Sequence, residues 1–184
     1  NVPPPDVPPW ARIENVVASP FDANAASASV DIPRTARDTP MILKTADGGK
    51  HWQTITNGIP RDEFVMSVRA DPVKRGLLYA GTSRSVYVSF DDGADWQPLG
   101  LNLPTTWYRD LLVHDGDLIT ATQGRGIWIL DDVEPLREAV TAAASPVHLF
   151  TPLMATRLRA NENRDTPWPP STPLAQNPPT GAVI

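Results

Sequence analysis

Residues 41–60 read MILKTADGGKHWQTITNGIP, and residues 85–104 read SVYVSFDDGADWQPLGLNLP. The two segments align without a gap at an offset of 44 residues, and Asp, Gly, Trp, Gln and Pro recur at matching places. A weaker third copy follows at an offset of 41, where residues 80–88 (AGTSRSVYV) align with residues 121–129 (ATQGRGIWI). It ends in Asp131 and Asp132 without the expected Gly and Trp, as is typical of the last unit of a repeat array.

Each repeat reads as four short strands separated by turn-forming residues. The middle unit predicts strands at 64–70, 77–82, 85–90 and 95–99, and the first unit predicts strands at 12–19, 27–32, 41–45 and 52–56. The last unit predicts 108–113, 117–122 and 127–130, without a fourth strand. Four antiparallel strands at this period are typical of a β-propeller blade. A β-sandwich also has regularly spaced strands, but it gives no reason for Asp and Trp to recur together.

The fold class predicted is therefore all-β, a partial β-propeller with blades at about 12–60, 61–104 and 105–132. The segment from residue 12 to residue 132 has 121 residues, which at a period of 44 residues corresponds to about 2.75 four-stranded blades. Proline makes up 21 of the 184 residues and is concentrated at both ends, which predicts Pro-rich extended arms at 1–11 and 152–184. Between them, residues 133–151 predict a short helix followed by a return strand at 146–150.

The most specific motif is an eight-residue pattern, Ser/Thr-x-Asp-x-Gly-x-x-Trp, which occurs as TADGGKHW at 45–52 and as SFDDGADW at 89–96. This pattern resembles the Asp-box, also called the bacterial neuraminidase (BNR) repeat. The wider run, at 42–60, 76–104 and 109–132, resembles the sortilin-like propellers of bacteria, which are often labelled glycosyl hydrolases. The resemblance implies a box on the hairpin between the third and fourth strands of a blade, and a periplasmic or secreted location.

We interpret the box residues as structural. A short Asp carboxylate accepts backbone N–H bonds in its own turn, and Gly permits the positive φ of that turn. The two Trp side chains are expected to lie in equivalent buried positions on successive blades. The residues given this structural role are Asp47, Gly49, Trp52, Asp91, Gly93 and Trp96.

Catalytic and metal sites are poorly supported. A sialidase-like site needs an arginine cluster, a tyrosine nucleophile and an acid, and only Tyr108 is placed where it could reach a channel mouth. We therefore predict no catalytic residue, and no glycoside hydrolysis by this chain alone. The three histidines are isolated, no calcium-loop spacing occurs and cysteine is absent, so we also predict no metal and no cofactor.

Candidate partner contacts lie in the loops between the second and third strands of the blades. The first unit carries an eight-residue insertion, PRTARDTP at 33–40, where the middle unit has only two residues. The last unit has QGRG at 123–126 in the equivalent position, and Trp107 and Arg109 lie at the start of its first strand. The candidate contact residues are Arg34, Arg37, Trp107, Arg109 and Arg125.

Charge and blade number constrain the function. A formal net charge of −5 argues against a nucleic-acid partner, and no apolar stretch is long enough for a membrane span. Propellers close with about 4–8 blades, so 2.75 blades leave open edges. We therefore predict a non-catalytic interaction or assembly module, completed by other protein chains or by the missing blades of its own propeller, with carbohydrate as a possible ligand. The alternative is a fragment of a secreted carbohydrate-active hydrolase, sialidase-like or xyloglucanase-like.

Overall fold

Three antiparallel sheets follow one another along the chain. The computed structural model describes residues 7–8, 11–32, 39–152 and 154. The first sheet, blade 1, has the strand order β1 (Arg12–Ala18), β2 (Ala26–Asp31), β3 (Ile42–Thr45) and β4 (Gln53–Thr54). Blade 2 repeats this order with β5 (Val65–Ala70), β6 (Leu78–Thr82), β7 (Val86–Ser89) and β8 (Gln97–Pro98). Blade 3 contains β9 (Tyr108–His114), β10 (Asp117–Thr122) and β11 (Ile127–Leu130), and within the described ranges it has no fourth strand.

The strands predicted for the three blades are all present, but the fourth strand of each full blade is shorter than predicted. Only two residues of β4 pair with β3, and only two of β8 pair with β7. One further backbone bond follows in each blade, from the Ile55 N–H to the Ile42 carbonyl (2.9 Å) and from the Leu99 N–H to the Val86 carbonyl (2.8 Å). Each fourth strand is thus a short edge strand, and in blade 2 the buried Trp96 immediately precedes it.

Blade 2 is buried on both of its sides. Leu78 and Ala80 point to one side of β6 and pack in an apolar cluster with blade 1. That cluster consists of Ile42, Ile55, Ile59, Val65, Val68, Leu78, Ala80, Tyr87 and Trp96. Tyr79 and Gly81 point to the other side, where a Cβ on Gly81 would lie 2.7 Å from the carbonyl oxygen of Tyr108 in blade 3.

The register of the third repeat differs from the sequence alignment by one residue in β10. The N–H of Ser83 donates to Phe64 and the N–H of Gln123 donates to Trp107, so these two residues are equivalent, at an offset of 40. The offset of 41 holds only for β11, because the hairpin at 123–126 contains one additional residue. The predicted match of Ala80 to Ala121 is therefore wrong. Thr120 is the equivalent residue, and a one-residue change of register exchanges the two faces of a strand.

Residues 134–184 form a second unit. The predicted helix is present as α1 (Glu134–Ala143), but the predicted return strand at 146–150 is wrong. Pro146 lacks an N–H, and the Glu138 carboxylate accepts bonds from the His148 ring (2.5 Å) and from the Thr151 N–H (3.2 Å). Side-chain bonds to the helix thus replace a strand ladder in this segment.

Most of the predicted arms, 1–11 and 152–184, lies outside the described residues. In the part of the chain that the structure describes, no helix has the length and apolar character needed to cross a membrane.

Candidate functional site

The two box hairpins have the same internal hydrogen bonds. In the first, the Thr45 hydroxyl donates to the Asp47 carboxylate (2.9 Å) and accepts from the Gly49 N–H (3.0 Å), while Asp47 also accepts the His51 N–H (2.9 Å). In the second, Ser89 donates to Asp91 (2.8 Å) and accepts from the Gly93 N–H (2.9 Å), and Asp91 accepts the Asp95 N–H (2.9 Å). Both carboxylates are thus engaged in their own turns.

These bonds hold both carboxylates in the ionised form. The pKa of Asp47 is lowered chiefly by the backbone N–H of His51 and by the bond to the His51 ring. Burial alone would raise the pKa of Asp91, but the N–H of Asp95 and the hydroxyl of Ser89 outweigh it and lower that pKa from 3.8. Neither group has the raised pKa that a general acid needs.

The lowered pKa of Asp91 predicts a pH-dependent stability. A carboxyl group whose pKa is lower in the folded state stabilises the protein fully above its unfolded value of 3.8, and loses that stabilisation as the pH falls through the folded value. We expect Asp91→Asn to lower the thermal midpoint at pH 6 and to leave a much smaller difference from the wild type at pH 2.5. Calorimetry on both proteins across this range measures the difference, and a gap that stayed constant or widened in acid would contradict the prediction.

The two box tryptophans do not share one environment, so their expected equivalence is wrong. Trp96 is 2% exposed, and its indole N–H donates to the carbonyl of Ile55 in blade 1 (2.8 Å). Trp52 is only half-buried, and its indole N–H donates to Gly49 in its own hairpin (3.1 Å). The difference arises because Trp96 packs against a preceding blade, whereas no described blade precedes Trp52.

The hydroxyls of Tyr87 and Tyr108 are hydrogen-bonded inside the blades. Tyr108 is fully buried and donates to the carbonyl of Pro104 (2.6 Å), so the expectation that it reaches a channel mouth is wrong. Tyr87 donates to the buried carboxylate of Glu63 (3.0 Å), which also accepts the Thr82 hydroxyl (2.5 Å). Burial, followed by the bond to Glu63, raises the pKa of Tyr87 to about 12. A hydroxyl with so high a pKa is a poor nucleophile near neutral pH.

Three of the five candidate contact residues lie together at one end of blade 3. The exposed Trp107 ring contacts Phe64 edge-on, with ring centroids 5.3 Å apart, and the Arg109 guanidinium lies 5.0 Å from the Trp107 ring centroid. Arg109 is held there by Gln123, whose side-chain oxygen accepts bonds from Nε (2.9 Å) and Nη2 (2.5 Å). Arg125 is exposed on the adjoining hairpin. We call this group, Phe64, Trp107, Arg109, Gln123 and Arg125, the arginine end of blade 3.

The arginine end carries positive charge. Among the described residues, no carboxylate lies within ion-pair distance of Arg109 or Arg125. Guanidinium groups beside an exposed indole are well suited to bind carboxylates on the surface of another protein. Arg34 and Arg37, the other two candidates, lie outside the described residues.

A second surface, on the side of blade 3 away from blade 2, exposes an apolar row. Leu112, Ile119 and Ile129 are directly paired across the three strands, so their side chains lie on the same face. Ile127 extends this row. We call these four residues the open side of blade 3.

The same side of blade 2 is covered. Val86 and Val88, the equivalents of Ile127 and Ile129, are 0% and 3% exposed, whereas the two isoleucines are 70% and 56% exposed. Arg69, the equivalent of Leu112, reaches across to blade 3 and donates to the Leu111 carbonyl (2.7 Å). A blade thus packs against this side in blade 2, while none of the described strands packs against it in blade 3.

A cleft of about 230 Å³ lies between blades 1 and 2 and contains both cations and acids. The Lys44 ammonium pairs with the Asp92 carboxylate and also donates to its carbonyl (3.1 Å). Arg75 donates to the carbonyl of Phe21 (3.0 Å) and lies over its ring. The Lys44 charge is thus paired, whereas Arg75 is held by a carbonyl and an aromatic ring. Across the described ranges, no three His, Asp or Glu side chains group as metal ligands do.

The sequence analysis did not identify three residues of these sites. Gln123 positions Arg109, Phe64 supports Trp107, and Glu63 is a buried carboxylate between Thr82 and Tyr87. Of the three, only Gln123 could have been found from the sequence, because it lies in the same loop as the candidate contact residue Arg125. Nothing in the local sequence marks Glu63 as buried.

Comparison with known proteins supports the fold. No family model matches the chain, and no curated protein matches it in sequence. Among solved structures, an ancestral GH74 enzyme is similar over 61% of this chain and 14% of its own, with 19% identity and a TM-score of 0.50. YCF48 bound to D1 peptide is similar over 66% of this chain and 37% of its own, with 21% identity and a TM-score of 0.43. The GH74 xyloglucanase from Xanthomonas campestris is similar over 64% of this chain and 24% of its own, with 16% identity and a TM-score of 0.38.

The likeness to the ancestral GH74 enzyme is one of fold, and the chain spans only a small part of that enzyme's length. Together with the three sheets, it confirms the predicted fold class, all-β and a partial propeller. The finer resemblance to Asp-box and sortilin-like proteins stays a prediction.

Proposed function

We propose that this chain is a non-catalytic interaction or assembly module whose blades are completed by other protein. The observation that carries the proposal is the open side of blade 3. Ile127 and Ile129 are exposed at positions where blade 2 buries Val86 and Val88 beneath the next blade. Apolar area left in water costs about 25 cal/mol per Å², and a covering protein surface would recover that free energy.

The arginine end offers a second contact of different chemistry. Trp107 supplies apolar area, and the guanidinium groups of Arg109 and Arg125, which pair with no described carboxylate, can bind carboxylates of a partner in the two-point geometry typical of arginine. We propose Trp107, Arg109 and Arg125 as partner contacts on this ground. An acidic protein surface is the partner that their charge favours.

The non-catalytic part of the proposal is supported by the box carboxylates and the tyrosines. Asp47 and Asp91 are engaged within their own hairpins, and Tyr108 is buried and hydrogen-bonded. The likeness to an ancestral GH74 enzyme concerns fold, and one fold supports many functions. The likeness therefore does not argue for hydrolysis.

Sedimentation velocity of the full 184-residue chain tests the proposal. We expect concentration-dependent association of the wild type, because its open side buries apolar area only against other protein. The double variant Ile127→Lys/Ile129→Lys should shift the distribution toward monomer, because two charges on one face oppose its burial.

Val147→Lys is the matched control, since Val147 is an exposed apolar residue outside the blades. It should sediment like the wild type. A wild-type chain that stays a monodisperse monomer over the whole concentration range and unfolds cooperatively would refute the proposed function.

A further inference from the structure

The outer edge of blade 3 is an unpaired strand. Within the described residues β11 pairs with β10 alone, whereas its counterpart β7 pairs with β6 on one edge and with β8 on the other. Prolines and charged side chains usually protect a sheet edge from pairing with another chain, but the sequence of β11, IWIL, contains neither. By contrast, the outer strand of blade 2 contains Pro98. The edge of β11 is therefore open to a further strand.

The main chain of Ile127 and Ile129 faces this open edge. The strand registers make these two residues equivalent to Val86 and Val88. The Val86 carbonyl accepts the Leu99 N–H (2.8 Å), so it faces the outer side of β7. In an antiparallel sheet, alternate residues direct both N–H and C=O to the same edge of their strand. Both isoleucines therefore present a donor and an acceptor outward.

The chain leaves β11 on the side away from this edge. The Asp132 N–H donates to the Asp117 carboxylate (3.0 Å), and the Val133 N–H donates to the Gly116 carbonyl (2.7 Å). Both acceptors belong to the hairpin that joins β9 to β10, and β10 lies on the paired side of β11. Residues 131–133 thus do not run along the open edge.

Two exposed residues of opposite charge flank β11. Arg125 precedes the strand on its hairpin, and Asp131 follows the strand directly. In the part of the chain that the structure describes, neither forms an ion pair. Each lies three residues from Trp128, one on either side. A strand with opposite charges at its two ends is complementary to an antiparallel copy of itself.

We propose that β11 pairs antiparallel with β11 of a second copy of this chain, about a twofold axis at Trp128. Ile127 then lies opposite Ile129 of the second copy, and these two residues exchange both of their outward main-chain bonds. Arg125 of each copy lies beside Asp131 of the other. This inference rests on the proposed function and names a second copy as the partner.

The flanking charges select this register among the possible ones. A shift by a single residue would turn the main-chain groups of one strand away from those of the other. An axis at Ile129 would set Asp131 opposite Ile127, and an axis at Ile127 would set Arg125 opposite Ile129. Only the axis at Trp128 brings the opposite charges together, once on each side of the axis.

Reversal of these charges tests the register. Arg125→Asp and Asp131→Arg each replace two intermolecular ion pairs with like-charge contacts. In sedimentation velocity of the full 184-residue chain, we expect each to raise the dissociation constant of the dimer at least about fivefold. The double variant Arg125→Asp/Asp131→Arg restores opposite charges and should associate like the wild type. Because the single substitutions change the net charge in opposite directions, a loss in both cannot arise from net charge.

A single cysteine tests the position of the axis. The chain has no cysteine, so Trp128→Cys carries one thiol, which would face its copy across a non-hydrogen-bonded pair. The Cα atoms of such a pair lie about 4.5 Å apart, within the range that a disulfide spans. We expect oxidation to yield a covalent dimer. Leu149→Cys, at an exposed position outside the blades, is the control and should stay largely monomeric.

Three results would overturn the inference. They are association that the single charge reversals leave unchanged, a double variant that stays as weak as the single ones, and cross-linking through Trp128→Cys no faster than through Leu149→Cys. If the chain still associates and the Ile127 and Ile129 substitutions reduce that association, the proposed function stands and only the pairing of β11 with its copy is refuted.

Discussion

Replacing Trp96 with Ala is expected to lower the free energy of unfolding by about 3–5 kcal/mol, as truncation of a large core side chain does. The indole is buried in the cluster between blades 1 and 2, and its N–H donates to the Ile55 carbonyl. The substitution therefore leaves a cavity and an unsatisfied carbonyl in the same place. Urea unfolding followed by circular dichroism measures the loss.

Trp52→Ala is the matched control, because it makes the same chemical change at the equivalent repeat position. Its indole is half-buried and donates within its own hairpin, so the loss should be no more than about half as large. Equal losses at the two positions would contradict the different environments that the structure gives them.

Gly58→Ala is expected to destabilise the chain on the order of 3 kcal/mol, through backbone strain and displacement of neighbouring backbone. Gly58 has φ of +92°, and an added Cβ would lie 2.0 Å from the Trp96 carbonyl oxygen. Either blade 2 must move away from blade 1 or the Asn57–Trp96 backbone bond must lengthen. Thermal and chemical unfolding report the loss.

Gly48→Ala separates strain from collision. Gly48 also has a positive φ, +72°, but nothing lies within 4 Å of an added Cβ. We expect it to cost only the conformational strain, about 1–2 kcal/mol. If Gly58→Ala proved no more costly than Gly48→Ala, the close approach of the two blades would be in error.

The strands and their grouping could be predicted because their signals are local. Turn-forming residues and short apolar runs bound each strand, and the repeat groups them into blades, so β10 and β11 begin and end where the sequence predicts. The register of β10 could not be predicted in the same way. The additional residue in the 123–126 hairpin changes the alignment by one, and only the backbone bond from Gln123 to Trp107 reveals where it lies.

The surroundings of single side chains depend on contacts between blades, and the motif does not encode these. Trp52 and Trp96 share a motif, yet only one has a preceding blade to pack against. Tyr108 directly follows the exposed candidate contact Trp107, yet its own side chain is buried and its hydroxyl donates to the Pro104 carbonyl. The arginine end was predictable in part, because exposed Arg and Trp at a loop are informative without knowledge of their neighbours.

The burial of blade 2 on both sides has a thermodynamic consequence. Blades in a row behave as a one-dimensional series of units, in which each unit is coupled only to its neighbours. Opening an end blade breaks one coupling, whereas opening blade 2 breaks two, so fluctuations start at the ends and the middle opens last. A protein that covers the open side of blade 3 would turn an end unit into an interior one. It would thereby suppress opening of the whole row, including blades that it never touches.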